Sequence, residues 1–222
     1  MMGMLGRYLR DHYDLLRFYP IYRRHREQTM VWPSVYPRNL QLASRYEPVR
    51  GCVVECGVWR GGMIAGIAEV LGPGRKYWLF DSFEGLPSVR ERDGPAAAAW
   101  QADPNGPSYH NNCRAEMAEA EAAMKKSGVP NYAIVKGWFA DTIPTFQPTE
   151  PIALLRLDGD WYESTITALR HLVPQVAPGG LVIIDDYCVW DGCTRAVHEY
   201  LAESDKPLRI REYMNAVTYF TV

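Results

Sequence analysis

Leu155-Arg156-Leu157-Asp158-Gly159-Asp160-Trp161-Tyr162 and Ile183-Ile184-Asp185-Asp186-Tyr187 decide the fold of this chain. Each is a short apolar run that stops abruptly at carboxylates. The helix-like segment between them is long enough for the crossover that joins two parallel strands. Read as neighbours in a parallel sheet, their ends lie about 4.8 Å apart. Asp158, Asp185 and Asp186 would then meet at the carboxyl edge, where open α/β folds bind ligands. Three carboxylates that close repel one another unless a cation or protons neutralise them. Oxygen donors suit a hard divalent ion, so the pattern predicts a site for Mg²⁺, with Mn²⁺ accepting the same donors.

Working outward, strand and helix signals alternate from residue 51 onward. Gly51–Glu55 reads as a strand that passes through a Gly-rich turn into a helix at 62–71. Lys76–Phe80 is a second strand, ending at Asp81, and 113–127 reads as a helix. Tyr132–Lys136 and Ile152–Leu157 are further strands, followed by a helix over 162–173. Gly180–Ile184 is a fifth strand and Gly192–Leu201 another helix. Such alternation implies an α/β fold with a mostly parallel, doubly wound, Rossmann-like sheet. Two β-rich pieces at 207–212 and 215–221 predict an antiparallel hairpin added at one edge. Residues 82–112 show no clear periodicity and are rich in Gly, Pro, Asn and Asp. A loop of that length is usually functional or disordered, and here it follows a strand end on the ligand edge. It is read as a substrate lid, with disorder the competing reading.

The chain has 222 residues, enough for one domain with a substantial core. A net charge of −2 argues against a general nucleic-acid partner. No run of 18 apolar residues suggests a membrane span. The N-terminus is broken by Arg7, Arg10 and Asp11 and lacks a secretory core, so a cytoplasmic location is expected. Five cysteines, Cys52, Cys56, Cys113, Cys188 and Cys193, show neither a paired nor a zinc-type spacing and are read as free thiols. Residues 1–50 are read as an N-terminal helical arm or lid before a catalytic domain at 51–222. The arm mixes Arg23, Arg24 and Arg26 with aromatic residues, either as an ordinary amphipathic helix or as a cover or subunit contact. A homo-oligomer is expected, with a dimer favoured.

The stretch Val53-Val54-Glu55-Cys56-Gly57-Val58-Trp59-Arg60-Gly61-Gly62 joins a strand to a helix start through glycines. Exposed N–H groups there favour a carboxylate or phosphate, and glycine permits close approach. Gly57 and Gly61 are four apart, so the dinucleotide fingerprint GxGxxG is absent, as is any Walker pattern. Glu55 disfavours a pyrophosphate but suits a ligand bearing ammonium and sulfonium charges. Asp81, followed by Ser82, is placed to accept hydrogen bonds from ribose hydroxyls, with a simple turn cap as its bland alternative. Gly137-Trp138-Phe139 follows the third strand, where an aromatic face suits adenine and a core role is equally open. Together these fit S-adenosylmethionine.

The phrases Val54-Glu55-Cys56-Gly57-Val58-Trp59-Arg60-Gly61-Gly62, Asp81-Ser82-Phe83-Glu84-Gly85-Leu86-Pro87, Leu155–Asp160 and Ile184–Tyr187 resemble the macrocin O-methyltransferase family. The resemblance runs over roughly residues 51–200. It implies a class I methyltransferase fold, S-adenosylmethionine as methyl donor, Mg²⁺ dependence and a sugar hydroxyl as acceptor. It also implies that Asp158, Asp185 and Asp186 are metal ligands, that Asp158 borders the cofactor as well, and that Asp160 is the general base. His110 and His198 are rival bases that rank below Asp160. Trp100, Tyr109, Trp161 and Trp190 are candidates for stacking on a sugar, or simply core. The acceptor is then the deoxysugar of a glycosylated natural product or a sugar in an oligosaccharide or polysaccharide. Two rival readings remain: a metal-dependent methyltransferase of catechol-like phenols, and a binding protein for S-adenosylmethionine or a nucleotide sugar without turnover. A nicotinamide dehydrogenase is disfavoured by the glycine spacing.

Overall fold

The computed structural model describes residues 14–222. Arg7, Arg10 and Asp11 of the expected arm lie outside the described residues. The strands are β1 (Cys52–Cys56), β2 (Tyr77–Asp81), β3 (Tyr132–Lys136), β4 (Ile152–Leu157), β5 (Val176–Ile184), β6 (Arg211–Tyr213) and β7 (Val217–Thr221). They form one sheet in the order β3-β2-β1-β4-β5-β7-β6. The first five are mutually parallel, and β7 runs antiparallel to both β5 and β6. The doubly wound parallel sheet and the C-terminal antiparallel hairpin are therefore as the alternating pattern predicted. The chain moves outward through β2 and β3, then returns to place β4 on the other side of β1. That reversal opens a crevice at the carboxyl ends of β1 and β4.

Helices cover both faces. On one side lie α1 (Tyr19–His25), α2 (Tyr36–Ser44), α3 (Gly62–Leu71) and, further along the chain, α5 (Met117–Ser127). The other side carries α7 (Tyr162–Leu172) and α8 (Asp191–Glu203), while α4 (Gly94–Ala102) and the short α6 (Phe139–Thr142) flank the carboxyl edge. Side chains alternate across a strand, so each strand feeds two cores. Val53, Leu79, Leu154 and Ile183 pack with Tyr36, Leu40, Ile64 and Ile67. Val54, Leu155, Val182 and Ile184 pack with Leu169, Leu172 and Val197. Burial on both faces explains why these strands read as continuous apolar runs.

The N-terminal segment turns towards its own protein. His25, fully buried, meets Glu69 Oε1 of α3 through Nε2 at 2.7 Å, and Arg24 pairs with the other oxygen of the same carboxylate. The segment 82–112, read as a loop from its irregular composition, holds α4. The run Pro95-Ala96-Ala97-Ala98-Ala99-Trp100 has high helix propensity but almost no amphipathic pattern, because only Ala97 is buried. A search for apolar periodicity passes over such a helix. Among the described residues no helix is long and apolar enough to cross a membrane, and all five cysteines are free thiols.

Candidate active site

A cavity of about 520 Å³ opens at the carboxyl ends of β1, β4 and β5. Its floor is built by backbone approach. Gly57 has φ +86°, and a Cβ there would sit 1.7 Å from the Asp158 carbonyl oxygen. The glycine is thus demanded by the crossing of two strand ends, and its openness to the cavity comes with it. Gly61 has φ +77°, and a Cβ there would crowd Ala120 of α5 at 2.9 Å, while a Cβ on Gly62 would meet the Gln28 carbonyl at 2.4 Å.

At the centre lies a residue that the sequence reading passed over. Arg156, fully buried in β4, donates from Nη1 to Glu55 Oε1 at 2.7 Å and to Asp158 Oδ2 at 2.6 Å. Its Nη2 stands 2.6 Å from Asp185 Oδ1. The register explains the grouping: Arg156 is level with Glu55 on one side and Ile183 on the other. Glu55, Arg156 and Asp185 therefore project from the same face of adjacent strands. A charge within an otherwise apolar strand, Ile-Ala-Leu-Leu-Arg-Leu, was the available signal, because a buried cation needs partners.

Asp185 and Asp186 part company. The Asp185 N–H donates to the Leu157 carbonyl at 2.9 Å, so the ladder continues one residue past β5. Pleating then sends the two neighbours to opposite faces. Asp186 meets Asp158 and Asp160, with one carboxylate oxygen from each lying within 4.8 Å of the others. The trio brought together is thus Asp158, Asp160 and Asp186, whereas Asp185 turns to Arg156.

Asp160 adopts φ +55°. Its N–H donates to Asp186 Oδ2 at 3.1 Å, and its Oδ1 accepts from the Trp190 indole N–H at 2.9 Å. Burial, then the nearby Asp158 charge, raises the Asp160 carboxyl to about 8. Asp158 rises to about 6, through burial opposed by Arg156. Asp186 is pushed well above the usual carboxylate range by burial and then by Asp160. Glu55 rises to about 8 because it is buried, with Arg156 the main opposing influence. Its Oε2 has no hydrogen-bond partner.

Asp81, at the end of β2, accepts the Trp59 N–H on Oδ2 at 2.8 Å and the Phe83 N–H on Oδ1 at 2.7 Å. Both the turn-capping reading and the cavity-lining reading thus describe it. Ser82 also borders the cavity, and its Oγ accepts the Glu84 N–H. Gly137 carries φ +145° after β3. Trp138 and Phe139 follow it along the cavity wall.

The four aromatic residues singled out from sequence form one cluster. Trp100 lies 5.0 Å from Tyr109, 6.1 Å from Trp161 and 6.0 Å from Trp190, centroid to centroid. Trp161 is buried and so has no free face, whereas Trp100 and Trp190 border the cavity. His110 also borders it, while His198 lies outside and meets the Tyr187 hydroxyl at 2.8 Å. Met30, Val31 and Trp32, within the 1–50 segment read as an arm or lid, also line the cavity.

Residues 38–222 match the protein family described as macrocin-O-methyltransferase (TylF). The chain belongs to this family. Proteins similar to this macrocin O-methyltransferase family member are named O-methyltransferases. The 8-demethyl-8-(2,3-dimethoxy-alpha-L-rhamnosyl)-tetracenomycin-C 4'-O-methyltransferase of Streptomyces olivaceus is 39% identical over 186 residues, which cover 76% of this chain and 69% of that one. The mycinamicin III 3''-O-methyltransferase of Micromonospora griseorubida is 38% identical over 160 residues, 68% of this chain and 61% of its own length. The solved structure of the O-methyltransferase NovP is 30% identical, with a TM-score of 0.72 over 87% of this chain and 81% of that one. This family member is an enzyme, an O-methyltransferase, built on the methyltransferase α/β fold.

Proposed function

We propose that this enzyme transfers the methyl group of S-adenosylmethionine to a sugar hydroxyl of a glycosylated natural product, at a site that takes a divalent cation such as Mg²⁺. The observation that carries the reading is the approach of Asp158, Asp160 and Asp186 within 4.8 Å at the floor of the cavity. The similarity to an enzyme named for a rhamnosyl-tetracenomycin supports the sugar acceptor.

The donor set fits a hard cation. It is all carboxylate oxygen, and each carboxyl is held above its ordinary range by burial first and then by the neighbouring acids, with Arg156 offsetting part of this at Asp158. Asp158 and Asp186 would hold the ion beside Asp160, with Asp185 beyond them on Arg156. When bound, such an ion lowers the pKa of a neighbouring hydroxyl.

The remaining work falls to the chain. Glu55 keeps a free oxygen at the Gly turn, suited to an ammonium group. Asp81 retains lone pairs for ribose hydroxyls, and Trp138 and Phe139 offer apolar surface to adenine. Asp160 accepts the acceptor's proton. Trp190 holds one of its oxygens and leaves the other for this task, in the deprotonated form that a cation bound beside it would favour. The hydroxyl oxygen forms its bond to the methyl carbon as the sulfur–carbon bond breaks, so alignment of the two supplies much of the rate.

Transfer of labelled methyl from S-adenosylmethionine to glycosides and catechols, with Mg²⁺ and with chelator, tests the reading. Chelator-sensitive label on a glycoside is expected. Label on catechols alone overturns the acceptor, and label indifferent to chelator overturns the metal.

A further inference from the structure

We propose that Asp93 is a positioning residue for Asp160, through which the docked 82–112 segment completes the active site. The inference rests on the reading of Asp160 as the base. Asp93 ends a single 3₁₀ turn, Glu91–Asp93, just before α4. Its side chain is 3% exposed, which is unusual for a carboxylate on a connecting segment.

Both oxygens are committed. Oδ2 accepts the N–H of Arg90 at 2.7 Å, within its own turn. Oδ1 accepts the N–H of Tyr162 at 2.8 Å, across a separation of 69 residues. Tyr162 is the first residue of α7, and its N–H is one of the donors that a helix leaves without an internal partner. The residue at the N-cap is Trp161, whose side chain makes no capping hydrogen bond. Asp93 therefore supplies, from the 82–112 segment, the cap that the local sequence lacks, and its charge suits the helix N-terminus. Gly192 of α8 makes room for the contact. A Cβ there would lie 2.8 Å from Asp93 Oδ1 and 2.9 Å from the Tyr162 nitrogen.

Two residues before Tyr162 stands Asp160, in the left-handed region at φ +55°. Such a backbone persists only where its surroundings hold it. Asp186 Oδ2 fastens the N–H of Asp160 on one side, and Asp93 fastens that of Tyr162 on the other. The same segment adds the Pro87 carbonyl, which accepts the Trp161 indole N–H at 3.0 Å. The turn that presents Asp160 is thus pinned by the body of the protein before it and by the 82–112 segment after it. Docking of the segment and placement of the base are one event.

The test uses Asp93→Ala and Asp93→Asn in the full chain, read by steady-state kinetics and by local hydrogen exchange. Asp93→Ala is expected to lower kcat by about 10–100-fold, with the KM for S-adenosylmethionine changed by less than about twofold. Amides at 159–163 should exchange faster while those of β4 and α8 keep their protection. Asp93→Asn keeps one acceptor oxygen but sets its NH2 against the other backbone N–H, so it is expected to fall between Asp93→Ala and the wild type in both readouts. Unchanged exchange at 159–163 overturns the proposal, as does a uniform rise across the protein, which marks a cap that serves stability alone. If Asp93→Ala does not fold, Asp93→Asn decides: a lowered kcat with faster exchange confined to 159–163 supports the contact, and unchanged kcat and exchange, or a global loss of protection, overturns it. Hydrogen exchange needs no turnover. An unmethylated glycoside panel with locally faster exchange therefore sinks the acceptor assignment while the contact from Asp93 stands.

Discussion

Arg156 Nη2 lies 2.6 Å from Asp185 Oδ1, and this ion pair sets Asp185 apart from the trio Asp158, Asp160 and Asp186. The same guanidinium binds Glu55 and Asp158, so one buried cation neutralises part of three acids. Arg156→Met strips that charge and leaves the acids to repel one another. Loss of a partner from a buried pair typically costs about 3–5 kcal/mol. Urea unfolding of the variant is expected to show a loss of that size, and wild-type stability would refute the central role given to this residue.

The division between Asp185 and Asp186 predicts unequal effects on divalent binding. Asp186→Asn should weaken Mn²⁺ binding, followed by calorimetry or electron paramagnetic resonance, by more than the roughly 10–100-fold typical of an outer-shell partner. Asp185→Asn should act less, because its carboxylate is spent on Arg156. The reverse order would return Asp185 to the ligand set inferred from sequence.

Glu55 makes stability depend on pH in the absence of divalent ions. Its carboxyl rises from 4.5 to about 8 on folding, chiefly by burial. Between those values the folded chain holds the proton more tightly than the unfolded chain, so stability contributed by this group is complete below 4.5 and is lost as pH rises through about 8. Thermal unfolding midpoints should therefore fall across this window. Glu55→Gln should reduce the slope by the share of this group, the remainder coming from Asp158, Asp160 and Asp186, and an unaltered slope would assign all of it to them.

Gly57→Ala tests the crossing of β1 and β4. The new Cβ would stand 1.7 Å from the Asp158 carbonyl oxygen at φ +86°, so backbone must move. Overpacking of this kind costs about 3 kcal/mol, and the displaced Asp158 should take activity with it. Gly72→Ala, which has a similar φ of +81° but nothing within 4 Å, controls for conformational strain alone. Equal losses in both variants would show that the close approach matters little.

Much of the architecture was legible in the residues. β3 and β4 fall where their β-branched and apolar runs begin and end, and the acidic strand ends do lie side by side. The Ala-rich α4 was not legible, because a helix that buries one residue carries no apolar stripe. The partners of Arg156 were not legible, although its charge in a buried strand calls for them.

Residue patterns alone set the succession of strands, the main helices between them, the Gly turn, the edge on which the carboxylates gather and the family. Those are local properties, set by apolar period, by glycine and by short motifs. Tertiary structure alone decided how the acids divide. Pleating at the end of β5 turns Asp185 and Asp186 to opposite faces, and the register of β1 against β4 sets Arg156 level with Glu55. It also carried Asp93 to the start of α7, 69 residues along the chain, where no local pattern announces it. Side-chain partners across strands and loops depend on register and docking, which exist only once the chain has closed on itself.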